Sequence, residues 1–288
     1  MLLFNTITII GAGLIGSSLA RAAKQLGLAR RVIIADNYQP HLDATLRIGF
    51  ADDATDNLAE AVADADVVVL ATPVSTFEPI IQAIAPHLPQ GCIVTDVGSV
   101  KQAVIAAVEP YIPAGCHFVP GHPIAGTEHS GPDAGFAELF QGRWCILTPT
   151  SNTSLTAIDP IQKLWEAVGA NISIMDPQHH DSVLAMTSHV PHLIAFATVN
   201  AAADMGAHID QEVLQISATT FSGFTRVAAS DPIMWRDIFL ANREPLLAQL
   251  NILQEEIATL TRAIRWGDSA LIEERLAKAR ALRRQLKG

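Results

Sequence analysis

The sequence predicts an α/β chain in two parts: a mostly parallel, doubly wound sheet over residues 1–175 and an all-helical domain over residues 176–288. Three observations carry this expectation. Short, near-continuous apolar runs rich in Val and Ile alternate with amphipathic stretches through the first part, as in parallel sheets covered by helices on both faces. A glycine-rich turn joins the first apolar run to the first amphipathic stretch. Beyond "MDPQHHD" hardly a strand signal is left, and long helical periods dominate.

Taken in order, the expected strands are Ile7–Ile10, Val32–Ala35, Val67–Ala71, Cys92–Asp96, His117–Val119, Trp144–Leu147 and Ile172–Ile174. Helical periodicity falls between them, at Leu14–Leu28, Gln39–Ile48, Ser75–His87, Val100–Val108 and Thr156–Val168. In the second part Asp231 followed by Pro232 marks a helix start, an N-cap and then proline in the first turn. The helices that follow are long and carry apolar stripes without enough chain to cover them, which points to burial against a second copy in a homodimer. Ser182 to Ala203 has no Asp, Glu, Lys or Arg and is about as long as a bilayer span. It also holds His189, Pro191, His192 and Asn200, so it is read as a central helix of a soluble bundle, buried all round, with its polar face lining a cavity.

Composition narrows the function classes. With 49% hydrophobic and 17% charged residues the chain has ample material for a core, and its formal charge of −10 leaves no clustered cationic surface outside the final "RLAKARALRRQLK". Nucleic acid is not an expected partner, and neither is a membrane. Cys92, Cys116 and Cys145 are far apart and apolar in context, so they read as core residues in a reducing, cytoplasmic setting, with no metal site indicated. The N-terminal "MLLFNTITIIGAG" lacks the basic region and cleavage site of a signal peptide and runs straight into a glycine turn.

That turn is "GAGLIG": Gly11, Gly13 and Gly16, spaced G-x-G-x-x-G, directly after a strand and before a helix. In a Rossmann-type fold the first glycine makes the tight turn, the second admits a pyrophosphate and the third lets helix and sheet pack closely. The N–H groups of the helix start, including those of Leu14 and Ile15, then face the anion. Asp36 ends the next strand, 20 residues after Gly16, where a carboxylate meets adenosine ribose hydroxyls and repels a 2′-phosphate. NAD is therefore the expected cofactor, with NADP disfavoured; the plainer reading is that Asp36 only opens the turn "DNYQP". "ATPVS" and "DVGSVK" follow further strands at the same edge, so Thr72, Pro73, Ser75 and Val97 are candidates for the nicotinamide half.

Chemistry is expected beside them. Ser99 either caps a helix beginning at Val100 or faces the ligand edge. The stretch "GHPIAGTEHSG" has no regular period and reads as a strand-end loop; it brings His122 to the carboxyl edge, where a histidine can take a proton from a substrate hydroxyl as hydride leaves the carbon. A satisfied loop histidine is the bland alternative, and His129 is expected to face solvent. Arg226 stands among small and apolar residues, equally a surface arginine or a carboxylate grip.

"DVGSVK", "GHPIAGTEHSG", "SHVPHLIAFA" and "FTRVAASDPIMWRDI", in that order after the glycine loop, resemble the prephenate and arogenate dehydrogenases of tyrosine biosynthesis over most of the chain. The resemblance implies oxidative decarboxylation of a cyclohexadienol, with prephenate favoured over arogenate because "FSGFTR" offers no acid for an ammonium. It implies His122 as the catalytic histidine, Ser99 positioning the ring hydroxyl and Arg226 gripping a substrate carboxylate. His189 and His192, three apart, would line the pocket, with Thr127 and Glu128 at its mouth and Trp235 nearby. Two rivals fit less well. The β-hydroxyacid dehydrogenases need a lysine base on the helical domain, yet none occurs between Lys163 and Lys278. A non-catalytic NAD-sensing dimer would have no use for His122 or Arg226.

Overall fold

The computed structural model describes residues 2–204 and 219–285. The first part runs β1 (Phe4–Ile10), α1 (Leu14–Gln25), β2 (Ala29–Ala35), α2 (Gln39–Ile48), β3 (Asp53–Thr55), α3 (Leu58–Val62), β4 (Val67–Leu70), α4 (Phe77–Ile84), β5 (Ile93–Asp96), α5 (Gln102–Val108) and β6 (His117–Val119). These strands form one parallel six-stranded sheet in the order β3-β2-β1-β4-β5-β6. The order reverses between β1 and β4, so the loops after these two strands part there and leave a crevice at the carboxyl edge. β4 reads VVVL and is buried on both faces, as a central parallel strand covered by helices must be. Ile7, Ile9 and Leu19 are fully buried where α1 packs on the sheet, each contributing about 2 kcal/mol by removal from water.

Two expectations change here. Asp53–Thr55 is a short edge strand whose sequence, DAT, lacks the apolar run that identifies the others. More consequentially, Trp144–Leu147 and Asn171–Ile174 do not extend the main sheet. They are β8 and β9 of a separate three-stranded sheet, with α6 (Leu155–Ala167) between them. Its first strand is β7, Gly121–Pro123, which pairs antiparallel with β8. The stretch expected to be a loop thus begins as a strand, with His122 opposite Ile146; its glycines and proline hide a pairing made only by a distant partner.

From Pro177 onward the described residues hold only helices: α7 (Pro177–Leu184), a π-helical turn at Ala185–His189, α8 (Val190–Ala203), α9 (Thr219–Thr225), α10 (Pro232–Ala241), α11 (Arg243–Trp266) and α12 (Ser269–Arg283). Asp176 caps α7 by accepting from Gln178 and His179 N–H groups, and Asp231 caps α10 at Met234 N–H, with proline at the first position of each. The uncharged segment lies in one continuous helix, Pro177–Ala203, long and apolar enough by length and composition to cross a membrane. It is not buried all round. Met186 and Val199 on it are each 39% exposed in the single chain as described.

Candidate active site

At the crevice each glycine of the loop does a different job. Gly11 has φ +106°, and a Cβ there would stand 2.6 Å from the Ala71 carbonyl oxygen. A Cβ on Gly16 would come within 2.0 Å of the Gly11 carbonyl oxygen. Around Gly13 there is nothing within 4 Å, so this glycine faces open space, and it begins α1 without a side-chain cap. The result is an open helix start with the N–H groups of Leu14 and Ile15 in its first turn, an arrangement that can hold an anionic group.

Asp36 opens the turn, as the plainer of its two readings expected, and also reaches the glycine loop. One carboxylate oxygen accepts from the Tyr38 N–H at 2.9 Å, which is the turn-opening bond. The other accepts from Ala12 N–H at 2.8 Å and meets His41 Nδ1 at 3.1 Å, which ties it to the glycine loop. On the far side of the crevice Thr72 accepts from the Thr76 hydroxyl, and Pro73 leads into the turn at Val74–Thr76. The Ser75 hydroxyl is engaged across the domains, donating to Asp237 on α10 at 2.6 Å. Val97 is half-buried at the end of β5, its N–H bonded to the Leu70 carbonyl.

Ser99 does not cap a helix. The helix after it, α5, starts at Gln102, and its first N–H groups are taken by a carboxylate from the helical domain: Asp181 accepts from Lys101 N–H at 2.7 Å and Gln102 N–H at 2.9 Å. The Ser99 hydroxyl, half-buried, is left without a hydrogen-bond partner among the described residues. Fully buried Lys101 pairs with buried Asp96, and its ammonium also donates to the Gly121 carbonyl at 2.6 Å. This fixes the strand that carries His122.

His122 is 8% exposed. Its Nδ1 lies 2.9 Å from His180 Nε2, and His180 Nδ1 lies 2.9 Å from an Asp181 oxygen. Its Nε2 carries no hydrogen bond among the described residues. Burial, reinforced by His180, Lys101 and His189, lowers the His122 pKa well below the ordinary histidine value, so the ring is neutral at physiological pH.

The helices supply the opposite wall. The π-turn brings His189 inward, where it is fully buried, with Nδ1 2.9 Å from the Asn242 side-chain amide; that amide also donates to the Asp181 carbonyl. Burial pushes the His189 pKa down to about 4, against weaker opposition from Asp181 and the Ser99 backbone. One turn on, His192 stacks on Trp235 with centroids 3.6 Å apart, and Trp235 also meets His189 edge-on. Arg226 is not alone: it donates to Glu128 at 2.7 Å, an ion pair joining the helical domain to the segment after β7, with the arginine 58% exposed. Thr127 accepts from His129 N–H, and His129 is exposed.

The structure therefore gathers Ser99, His122, His189, His192, Trp235, Arg226 and Glu128 around one site. Lys101, Asp96, His180, Asp181 and Asn242 were missed in the sequence. "HHD" and the paired "DVGSVK" acid and lysine were visible, but no local pattern says that residues eighty apart will meet. A concavity of about 470 Å³ lies at the amino-terminal edge of the sheet, beside Phe4, Asp66 and Gln90, away from this cluster. Among the described residues no group of three His, Cys, Asp or Glu could hold a metal.

A glycine loop at a helix start, with a buried histidine on the strand that follows the parallel sheet and a helical domain against it, defines a two-domain dehydrogenase of the dinucleotide-binding class. Comparison with known proteins is more specific. The family model described as "Prephenate dehydrogenase, nucleotide-binding domain" matches residues 19–174, and "Prephenate dehydrogenase, dimerization domain" matches residues 176–278. A cyclohexadienyl dehydrogenase of Zymomonas mobilis is 40% identical, the match covering 100% of this chain and 98% of that protein. A prephenate dehydrogenase of Bacillus subtilis is 33% identical over 92% of this chain and 71% of its own length. The crystal structure of Aquifex aeolicus prephenate dehydrogenase, in complex with hydroxyphenyl propionate and NAD+, superposes with a TM-score of 0.89 at 33% identity, covering 98% of both chains. The chain belongs to the prephenate dehydrogenase family and is an oxidoreductase.

Proposed function

We propose that the chain catalyses the NAD-dependent oxidative decarboxylation of prephenate to 4-hydroxyphenylpyruvate, as a homodimer formed through its C-terminal helices. The observation that carries this reading is His122 on β7, neutral, with Nδ1 held by His180 and Nε2 without a hydrogen bond among the described residues. The residues of the crevice fit the dinucleotide: open space at Gly13 for the pyrophosphate, Asp36 for the ribose hydroxyls, and the Thr72–Pro73 edge for the nicotinamide. When bound, the dinucleotide supplies the hydride acceptor.

His122 Nε2 accepts a hydrogen bond from the ring hydroxyl at C4 and draws its proton as hydride departs from that carbon. Ser99 holds the same hydroxyl in line. Loss of the ring carboxylate as carbon dioxide sends its electron pair into the ring, which becomes aromatic. The proton then returns from His122 to the ring oxygen, so the phenol forms with no net proton left on the enzyme. Arg226 grips a substrate carboxylate, exchanging its bond to Glu128 for a fork of two N–H groups. His189 and His192, backed by Trp235, line the pocket, with Thr127 and Glu128 at its mouth.

Arogenate is the second reading, favoured by the cyclohexadienyl name of the Zymomonas relative and by Glu128, the acid nearest Arg226, which can face an ammonium. The test is NADH and NADPH formation by the purified protein with each substrate. Prephenate with NAD as the best pair is expected; no turnover with either substrate sinks the proposal.

A further inference from the structure

We propose that His180 and Asp181 are positioning residues that hold His122 in the tautomer protonated at Nδ1, leaving Nε2 as the proton acceptor. This inference rests on the reading of His122 as the base of the reaction. It follows from counting donors and acceptors along one buried chain of groups.

Asp181 is the fixed end. Its two oxygens accept from the Lys101 and Gln102 N–H groups and from the Gln102 side-chain amide at 3.3 Å. Burial alone would raise its pKa, but these bonds and the one from His180 outweigh it and hold the carboxyl below the ordinary range. Asp181 is therefore an ionised, acceptor-only group with no proton to offer. Whatever faces it must donate, so the proton of His180 sits on Nδ1, 2.9 Å from the carboxylate.

The next link depends on His180 being neutral. It is fully buried, and burial keeps its pKa below the ordinary histidine value despite the bond to Asp181. Lys101, the nearby ammonium, opposes a second positive charge and is itself occupied by Asp96 and the Gly121 carbonyl. A neutral His180 protonated at Nδ1 presents a bare lone pair at Nε2. That lone pair lies 2.9 Å from His122 Nδ1, with the rings edge-on at 67°, so His122 must donate there. Its remaining nitrogen, Nε2, is left without a proton. A free histidine side chain favours the opposite tautomer, with the proton on Nε2, which would meet a substrate hydroxyl donor to donor.

The chain of bonds crosses the domain boundary. His180 and Asp181 sit on α7, whereas His122 lies on β7 of the nucleotide-binding part. Docking of the helical domain thus sets the chemical state of a residue it does not contain. The same carboxylate caps α5, so one side chain secures both the domain contact and the tautomer.

Ring-nitrogen NMR of the full-length protein labelled in histidine, at mildly alkaline pH, reads the tautomer directly. The expected result is a proton on His122 Nδ1 and a bare Nε2; a proton on Nε2 in the wild-type protein overturns the proposal without any variant. His180→Ala should shift His122 toward the Nε2–H form and lower kcat on the order of 10²-fold, with NAD affinity unchanged. A folded His180→Ala protein with wild-type kcat also overturns it. Full turnover by His122→Asn would instead overturn the reading of the base, an outcome separate from the tautomer measurement.

Discussion

His122 takes its chemistry from residues on both sides of the crevice, and this makes single substitutions informative. His122→Asn keeps a polar side chain at the site but removes the proton acceptor. It should lower kcat by about 10²- to 10⁴-fold while NAD titration stays at the wild-type value. Arg226 gives a different signature. Its ion pair with Glu128 is more than half exposed on the arginine side, so solvent screening leaves it little part in stability. Arg226→Ala should leave the thermal midpoint nearly unchanged and raise KM about tenfold or more, which steady-state kinetics and a melting curve together would show. His189 links the site to acid stability. In the unfolded chain it protonates near 6.5; in the folded chain it does so only near 4. The folded state therefore disfavours the charged form, its stability is intact above the unfolded value, and it falls as pH drops through the window between the two. The loss is about 3 kcal/mol from this residue alone. His122, His180 and His192 shift in the same direction and deepen it. A urea midpoint that does not fall between neutral pH and mild acid would contradict this.

Among the elements, the turn from β1 into α1 separates fold from function glycine by glycine. Gly16→Ala puts a methyl group 2.0 Å from a backbone oxygen that cannot move without shifting helix or strand, so stability should fall by several kcal/mol, on the order of severe core substitutions. Gly13→Ala meets nothing in the protein, so the fold should be retained while NAD affinity drops at least tenfold as the methyl group occupies the pyrophosphate path. Circular dichroism melts and NAD titrations of the two variants should give opposite patterns. The π-turn at Ala185–His189 is the second element with a functional position. It lies just where the long helix turns His189 toward Asn242 and the following turn sets His192 on Trp235.

At the scale of the molecule, the two parts are joined through polar contacts that converge on the site: Asp181 to α5, Asp237 to Ser75, and Arg226 to Glu128. Helices α11 and α12 are different. Ile252, Ile257, Ile264 and Trp266 are each about half exposed or more in the single chain, with Trp266 at 80%. Such a surface is costly in water and favours a second copy, in keeping with the family description of this region. Sedimentation should give about twice the mass of one chain, and Ile257→Asp together with Ile264→Asp should shift it toward a monomer. A monomeric wild-type protein would remove the dimer from the proposal.

The sequence by itself determined the parallel sheet, the glycine loop, the helical second part and the identity of His122, Ser99 and Arg226 as candidates. Each of these rests on short-range rules: burial period, backbone freedom, and the chemistry that a side chain carries wherever it stands. Only the tertiary structure decided that Gly121–Pro123 is a strand of a second sheet, and that Asp181 rather than Ser99 caps α5. It alone gave Arg226 a partner in Glu128 and brought His180 behind His122. The physical reason is common to all four. A hydrogen bond or strand pairing between residues far apart in the chain leaves no local period, and "HHD" reads as an ordinary helix start until folding carries it against the strand that holds His122.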